Sequence, residues 1–171
     1  ITVSQSSSLI VSIPAASVCN GSTTNINAGA GFNSYIWSNG NNTQSITVAG
    51  GSYTVTVSDL SGCTGVGNVT VATNALPTLN IGQNLAVCAG SSATISPTTS
   101  YSSYAWLTGS SLQNITTTTA GTYTLTVTDS NGCTATDAVS VEIVNTPSVS
   151  LSNASVCVGN TTIIDAGAGF S

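Results

Sequence analysis

Hydrophobic and polar residues alternate at period two in several short stretches of this chain. Tyr53, Val55 and Val57 fall on one parity, and Thr54, Thr56 and Ser58 on the other. Tyr123, Leu125 and Val127 repeat the pattern against Thr124, Thr126 and Thr128. Such alternation predicts half-buried antiparallel strands. Asp59-Leu60-Ser61-Gly62 and Asp129-Ser130-Asn131-Gly132 follow, with Asp first and Gly fourth, as a tight hairpin turn requires. Val69 and Val71, like Val139 and Val141, then predict the returning strand. Tyr35-Ile36-Trp37 and Tyr104-Ala105-Trp106 predict a central strand ended by Asn39-Gly40 or Thr108-Gly109. Thr24, Ile26 and Ala28 mark another strand, and Ile46 with Val48 a short one. Short strands between turns predict an all-β, two-sheet sandwich. Its expected core is Ile26, Trp37, Tyr53, Val55 and Val69, then Ile95, Trp106, Tyr123, Leu125 and Val139.

The pattern recurs. Cys19, Cys88 and Cys157 are spaced by 69 residues, as are Trp37 and Trp106, while Cys63 and Cys133, like Tyr53 and Tyr123, are spaced by 70. A fixed period of this length predicts an array of equivalent units. The expected boundaries are 4–73 for one unit, 74–142 for the next, and 143–171 for the start of a third. Residues 1–3, Ile1-Thr2-Val3, match Val69-Thr70-Val71 and read as the last strand of a preceding unit. The segment from Ser17 matches that from Ser155 far better than it matches the middle unit, so a two-unit super-repeat is also open. On this reading the chain is a window onto a longer tandem protein.

Composition narrows the function. The 171 residues include no Lys, Arg or His, and five acidic residues give a formal charge of −5. Ordinary usage would supply roughly twenty Lys and Arg. Their absence removes the Ser–His–Asp triad, the Schiff base, the phosphate-loop lysine and the imidazole metal site. It equally removes the cationic footprint for nucleic acid or an anionic membrane. An enzyme is not expected, and neither is a cofactor. With 40% hydrophobic and 3% charged residues, the chain is not disordered. No apolar run approaches the roughly 18 residues of a membrane span, so no membrane insertion is expected. The absence of Met and of a signal peptide marks Ile1 as an internal start.

The stretch from Gly21 to Ala28 resembles the second strand of an immunoglobulin domain, with Ala28 where a core cysteine would sit. Ala49-Gly50-Gly51-Ser52-Tyr53-Thr54-Val55 resembles the sixth, with Tyr53 as a tyrosine corner and Val55 at the other cysteine position. Trp37 and Trp106 match the buried core tryptophan. More closely, Val87-Cys88-Ala89-Gly90-Ser91, Tyr35 to Gly40 and Gly121 to Cys133 resemble tandem immunoglobulin/PKD-like repeats of large surface adhesins of gliding Bacteroidota. The resemblance implies export through an outer-membrane secretion system and display at the cell surface. It implies no ligand.

Other residues carry competing readings. Asp59 and Asp129 read as turn caps rather than calcium ligands, since calcium needs six to eight oxygens and no Asp-x-Asp cluster is present. Asp137, Glu142 and Asp165 stand singly and read as surface solvation. Trp37, Trp106, Tyr35 and Tyr104 read as core, against a sugar-stacking platform. Phe32, Tyr101 and Phe170 sit at equivalent positions and read either as lids on a core end or as contacts to a neighbouring unit. Asn20, Asn41, Asn68, Asn114, Asn153 and Asn160 open Asn-x-Ser/Thr sequons that arise freely in such a composition, and O-glycans on the Ser/Thr surface stay open.

The expected role is a rod or stalk segment of a secreted or cell-surface adhesin, its partners being neighbouring repeats. Surface glycans or other copies in a filament are the alternatives, as a carbohydrate-binding module or a self-assembling fibre. Without Lys, isopeptide staples are excluded, and cysteine is the remaining covalent staple for units with small cores. Disulfides imply an oxidising, extracytosolic compartment. Spacing suggests Cys19–Cys63 and Cys88–Cys133 inside units, with Cys157 pairing outside the sequence. The immunoglobulin-like arrangement suggests otherwise. It places the turn before the second strand and the last hairpin at opposite ends, roughly 17–20 Å apart over five or six residues, whereas a disulfide needs Cα atoms within about 7 Å. A head-to-tail array would then favour Cys19–Cys133 between units, with Cys63, Cys88 and Cys157 pairing to further units.

Overall fold

Parity decides which residues meet. The structure, a computed structural model, describes residues 8–149, 151 and 153–164, and these form twelve strands and no helix. The first six are β1 Ala16–Cys19, β2 Thr24–Asn27, β3 Ser34–Trp37, β4 Ser45–Val48, β5 Gly51–Ser58 and β6 Thr64–Asn74. The second six are β7 Leu85–Cys88, β8 Ala93–Ile95, β9 Ser103–Trp106, β10 Ile115–Thr117, β11 Gly121–Thr128 and β12 Thr134–Val144. Each set builds a four-stranded sheet, ordered β1-β6-β5-β3 or β7-β12-β11-β9, and a two-stranded sheet, β2-β4 or β8-β10. The protein is therefore a pair of immunoglobulin-like β-sandwich repeats.

Each repeat closes over its own core. Ile26, Ile46 and Val48 from the small sheet meet Trp37, Val55, Val57, Val69 and Val71 from the large one. Ile95 in the second repeat likewise meets Trp106, Leu125, Val127, Val139 and Val141. The expected core residues are buried in this way except Tyr53, which is half-buried. Tyr53 stands near the start of β5, and its hydroxyl reaches out to donate to the Ala49 carbonyl at 3.1 Å. Tyr123, its counterpart, is buried and donates to Thr119 O at 3.0 Å. Val18, Ala28, Val57, Val71, Ile81, Val127 and Val141 add to the cores.

Two features depart from a simple antiparallel sandwich. β1 pairs with the end of β6 in parallel, Ala16 opposite Val71 and Cys19 opposite Asn74, and β7 pairs in the same way with β12, Leu85 opposite Val141 and Cys88 opposite Val144. The segment before β1, with Leu9, Val11 and Ile13, packs on the first core without forming a strand. Gly65 and Gly67 on the inner face of β6 permit that approach. A Cβ on Gly65 would lie 2.4 Å from the Leu9 carbonyl oxygen, and one on Gly67 would lie 2.5 Å from Val11 Cγ1. Ala135 and Asp137 take these places in the second repeat.

β6 runs to Asn74 and β12 to Val144, past the positions where the sequence spacing divides the units. Beyond Val144 the described residues hold no strand, only a turn at Cys157 in which Asn160 N–H donates to the Cys157 carbonyl at 3.0 Å. β1 and β7 form by pairing with a strand some fifty residues later (Cys19 with Asn74, Cys88 with Val144). Among the described residues the segment around Cys157 has no such partner strand. Residues 1–3, Asp165 and Phe170 lie outside the described residues.

Gly67→Val should force the Leu9–Ile13 segment off β6 and cost about 1–3 kcal/mol, the range for overpacking a close-fitting site, read as a lower urea midpoint at unchanged m-value. Trp37→Ala should cost about 3–5 kcal/mol and unfold the first repeat early by circular dichroism. The remaining indole, Trp106, then reports the second repeat by fluorescence, and a parental melt for both would contradict the core assignment.

Candidate functional site at the repeat junction

The long strands fix where the cysteines stand. Cys133 immediately precedes β12, while Cys88 lies beside Val144 at its far end. Ten residues of strand between them span about 33 Å. Cys63 precedes β6 and Cys19 lies beside Asn74, with the same separation. A disulfide requires Cα atoms within about 7 Å. The within-unit pairings Cys19–Cys63 and Cys88–Cys133 are therefore not formed, and strand length is the reason.

Cys19 instead bonds Cys133, with Cα atoms 5.6 Å apart across 114 residues of sequence. Each partner is held by its own turn. Past Cys19, Asn20 N–H donates to the Asn74 carbonyl at 2.8 Å, and Ser22 N–H donates back to the Cys19 carbonyl at 2.9 Å. At Cys133, the Asp129 carboxylate oxygen Oδ1 accepts the N–H groups of Asn131 and Cys133, both at 2.8 Å. Asp59 Oδ1 makes the equivalent bonds to Ser61 and Cys63, at 2.8 and 2.9 Å. Both carboxylates thus serve as turn caps. Among the described residues no group of three His, Cys, Asp or Glu side chains could hold a metal ion.

The cysteines differ in setting. Cys133 is buried, Cys63 is half-buried, and Cys88 and Cys157 are exposed.

Asp137 corrects the sequence reading. It shares parity with Val139 and Val141, so its side chain faces inward and is half-buried rather than solvating the surface. Its Oδ2 accepts the N–H of Ile81 at 3.0 Å, and its Oδ1 that of Ala138 at 2.8 Å. The Ile81 bond ties the segment entering the second repeat to β12 near the hairpin that carries Cys133. Asn84 Oδ1 adds a bond from Ser140 N–H at 3.0 Å. Glu142 is exposed.

The aromatic residues serve the cores. Trp37 Nε1–H donates to Thr43 O at 2.8 Å and Trp106 Nε1–H to Leu112 O at 2.9 Å, with both rings buried. Tyr35 and Tyr104 are half-buried, and edge contacts with Phe32 and Tyr101 at 5.9 and 6.2 Å close the same end of each core. Phe32 and Tyr101 thus act as lids on their own repeats. The Tyr101 hydroxyl donates to the Thr78 carbonyl. An open cleft of about 630 Å³ is lined by hydroxyls including Thr108, Ser110, Thr116, Thr117 and Tyr123. There Thr117, then Thr119, hold the Tyr123 phenol below its ordinary pKa, against the opposing effect of burial.

No known protein family matches the sequence, and no curated protein matches it. Among solved structures, the N-terminal eight immunoglobulin domains of Down Syndrome Cell Adhesion Molecule align at TM-score 0.38 and 10% identity, covering 79% of this chain and 27% of that one. The chain thus spans about a quarter of that structure's length. Sidekick-1 immunoglobulin domains 1–4 align at 0.37 and 13%, covering 80% and 48% of the two chains. The titin domains z1z2, in complex with telethonin, align at 0.32 and 14%, covering 83% and 100%. At these scores the alignments add nothing to the architecture read from the strands.

Asp129→Ala should leave the Cys133 amide without its charged acceptor. A hydrogen bond to a charged group is worth about 1.5–3 kcal/mol at most sites, and less for this exposed turn. The expected outcome is a second repeat that melts earlier and a Cys19–Cys133 bond reduced at lower dithiothreitol. A bond as resistant as the parent's would show that the carboxylate does not hold the turn.

Proposed function

We propose that this chain is a structural segment of a secreted or cell-surface adhesin, a stalk of immunoglobulin-like repeats stapled covalently at their junctions. The observation that carries the reading is the Cys19–Cys133 bond. It joins the end of β1 in one repeat to the β11–β12 hairpin of the next, so the junction is covalent although neither repeat contains an internal bridge. The repeat units are 4–73, 74–142 and, from 143, the start of a third. The role is mechanical and non-catalytic, and the setting is extracellular, where such a bond persists.

The composition supports this role. A chain without Lys or Arg offers no trypsin-type cleavage site and no side-chain ion pair that salt could weaken. Cross-linking across 114 residues constrains the unfolded chain, a stabilisation of up to about 5 kcal/mol for a loop of that length. Gliding Bacteroidota adhesins, which the repeats resemble, would use such a segment to carry a binding tip away from the surface.

Pulling a single molecule by its ends tests the proposal. With the bond intact, the residues between Cys19 and Cys133 should bear no load and should not extend. Reduction should release roughly 390 Å of additional contour length, at 3.3–3.6 Å per extended residue over that loop. Equal contour lengths before and after reduction would remove the staple and with it the stalk reading.

A further inference from the structure

Inward positions of the small sheet are filled by aliphatic side chains in the first repeat, where Ile46 and Val48 of β4 are both buried. On β10 the same parity falls on Ile115 and Thr117, which are half-buried. Ile115 lies opposite Ile95 as Ile46 lies opposite Ile26, so Thr117 stands where Val48 stands. A hydroxyl has replaced a core methyl there, an exchange that packing alone does not favour. The neighbouring tyrosine does not require it. Among the described residues the Tyr53 phenol bonds only the Ala49 carbonyl. Tyr123 makes the corresponding bond to Thr119 O and also meets the Thr117 and Thr119 hydroxyls, at 2.5 and 2.8 Å. Departures from a local packing rule are expected where a site needs them.

This hydroxyl cluster forms one wall of the cleft of about 630 Å³ on the second repeat. The loop from Thr108 to Asn114 forms the other, and buried Trp106 fixes it. The indole N–H donates to Leu112 O and the Trp106 backbone N–H to Ser110 O, both at 2.9 Å, while Leu112 N–H donates to Ser110 Oγ at 3.3 Å. Buried aromatic residues thus hold both walls, which lowers the ordering cost of binding. The volume lies within the roughly 300–1,000 Å³ of small-molecule sites. No charged residue lines the cleft. The exposed Thr108 hydroxyl and Asn114 carboxamide have no hydrogen-bond partner among the described residues. Leu112, 67% exposed, and half-buried Ile115 supply apolar surface beside them. The cleft runs along the flank where edge strand β9 gives way to β10. No strand of one repeat packs extensively on a strand of the other, so a junction of this kind leaves such a flank open.

We propose that this cleft is a binding site for an uncharged oligosaccharide. Hydroxyl and carboxamide groups both donate and accept hydrogen bonds, as sugar hydroxyls do, and Leu112 with Ile115 offers a surface to the C–H face of a sugar ring. A chain with no Lys or Arg and a formal charge of −5 has no counter-charge for an anionic glycan. An open cleft suits a stretch of a longer sugar chain. The first repeat lacks the site, because Val48, Ala49 and Thr43 take the places of Thr117, Thr119 and Leu112. The proposal is independent of the stalk reading and assigns a glycan contact to the body of the second repeat.

The test is amide chemical-shift mapping on the full 171-residue chain, titrated to millimolar concentration with maltohexaose, cellohexaose and a neutral mannohexaose. At least one probe should give saturating shifts at Thr108, Asn114, Thr117 and Thr119, with Val48 and Tyr53 unmoved. Asn114→Ala should weaken that binding about tenfold, the loss of one hydrogen bond of ordinary worth, at an unchanged melting temperature. Thr117→Val, which restores the first repeat's residue, should weaken it at least as much without lowering the melting temperature. An anionic hexagalacturonate should give no saturating shifts. The proposal is overturned if no neutral probe shifts these amides, if both repeats shift alike, or if hexagalacturonate binds as well. Parental affinity in both variants overturns it too, since the cleft would then not be where the sugar sits.

Discussion

The long continuous strands β6 and β12 are the constraint on which the rest depends. Each begins at a hairpin cysteine, crosses the whole repeat, and ends in parallel register with the strand that carries the next corner cysteine. Their length keeps the two cysteines of one repeat apart, so a bridge can form only across a junction. Their parity also sets the core. Val69 and Val71, or Val139 and Val141, face inward beside Trp37 or Trp106, while the threonines of the partner strand face water. One backbone element thus governs both packing and covalent connectivity.

The same parity explains how the repeats differ within one fold. The inward positions nearest the hairpin are Gly65 and Gly67 in the first repeat and Ala135 and Asp137 in the second. Glycines let the Leu9–Ile13 segment lie against the strand, so apolar side chains cover that end. In the second repeat Asp137 holds the incoming segment by a hydrogen bond to the Ile81 amide while Ile81 itself is buried. A buried backbone N–H needs an acceptor, and the half-buried carboxylate supplies one where the first repeat relies on close packing.

Much of this was legible in the residues. Alternation located β5, β6, β11 and β12, the two tryptophans marked β3 and β9, and Asp–x–x–Gly marked both hairpins. The parallel pairing of β1 and β7 was not legible, because four-residue strands carry too little pattern to reveal a partner some fifty residues away. Asp137 was misread because its charge outweighed its position, although its parity with Val139 was visible. The packing of Leu9, Val11 and Ile13 depends on the missing side chains of Gly65 and Gly67. Glycine in a strand signals a close approach but does not name what approaches.

The position of the bridge also determines how load would travel. Tension entering before Cys19 crosses the sulfur–sulfur bond to Cys133 and continues along β12 towards Val144. The backbone between those cysteines, which contains most of both cores, is bypassed. β12 is the principal element left in the path, and it is drawn along its own axis while paired on one side with β11 over eight residues and on the other with β7. Force along a strand loads its ladder bonds together rather than opening them one at a time. A bridge inside a repeat would have protected a single core and left the junction to a few side-chain contacts. Placed across the junction, one bond closes a loop of 114 residues that holds most of both small cores.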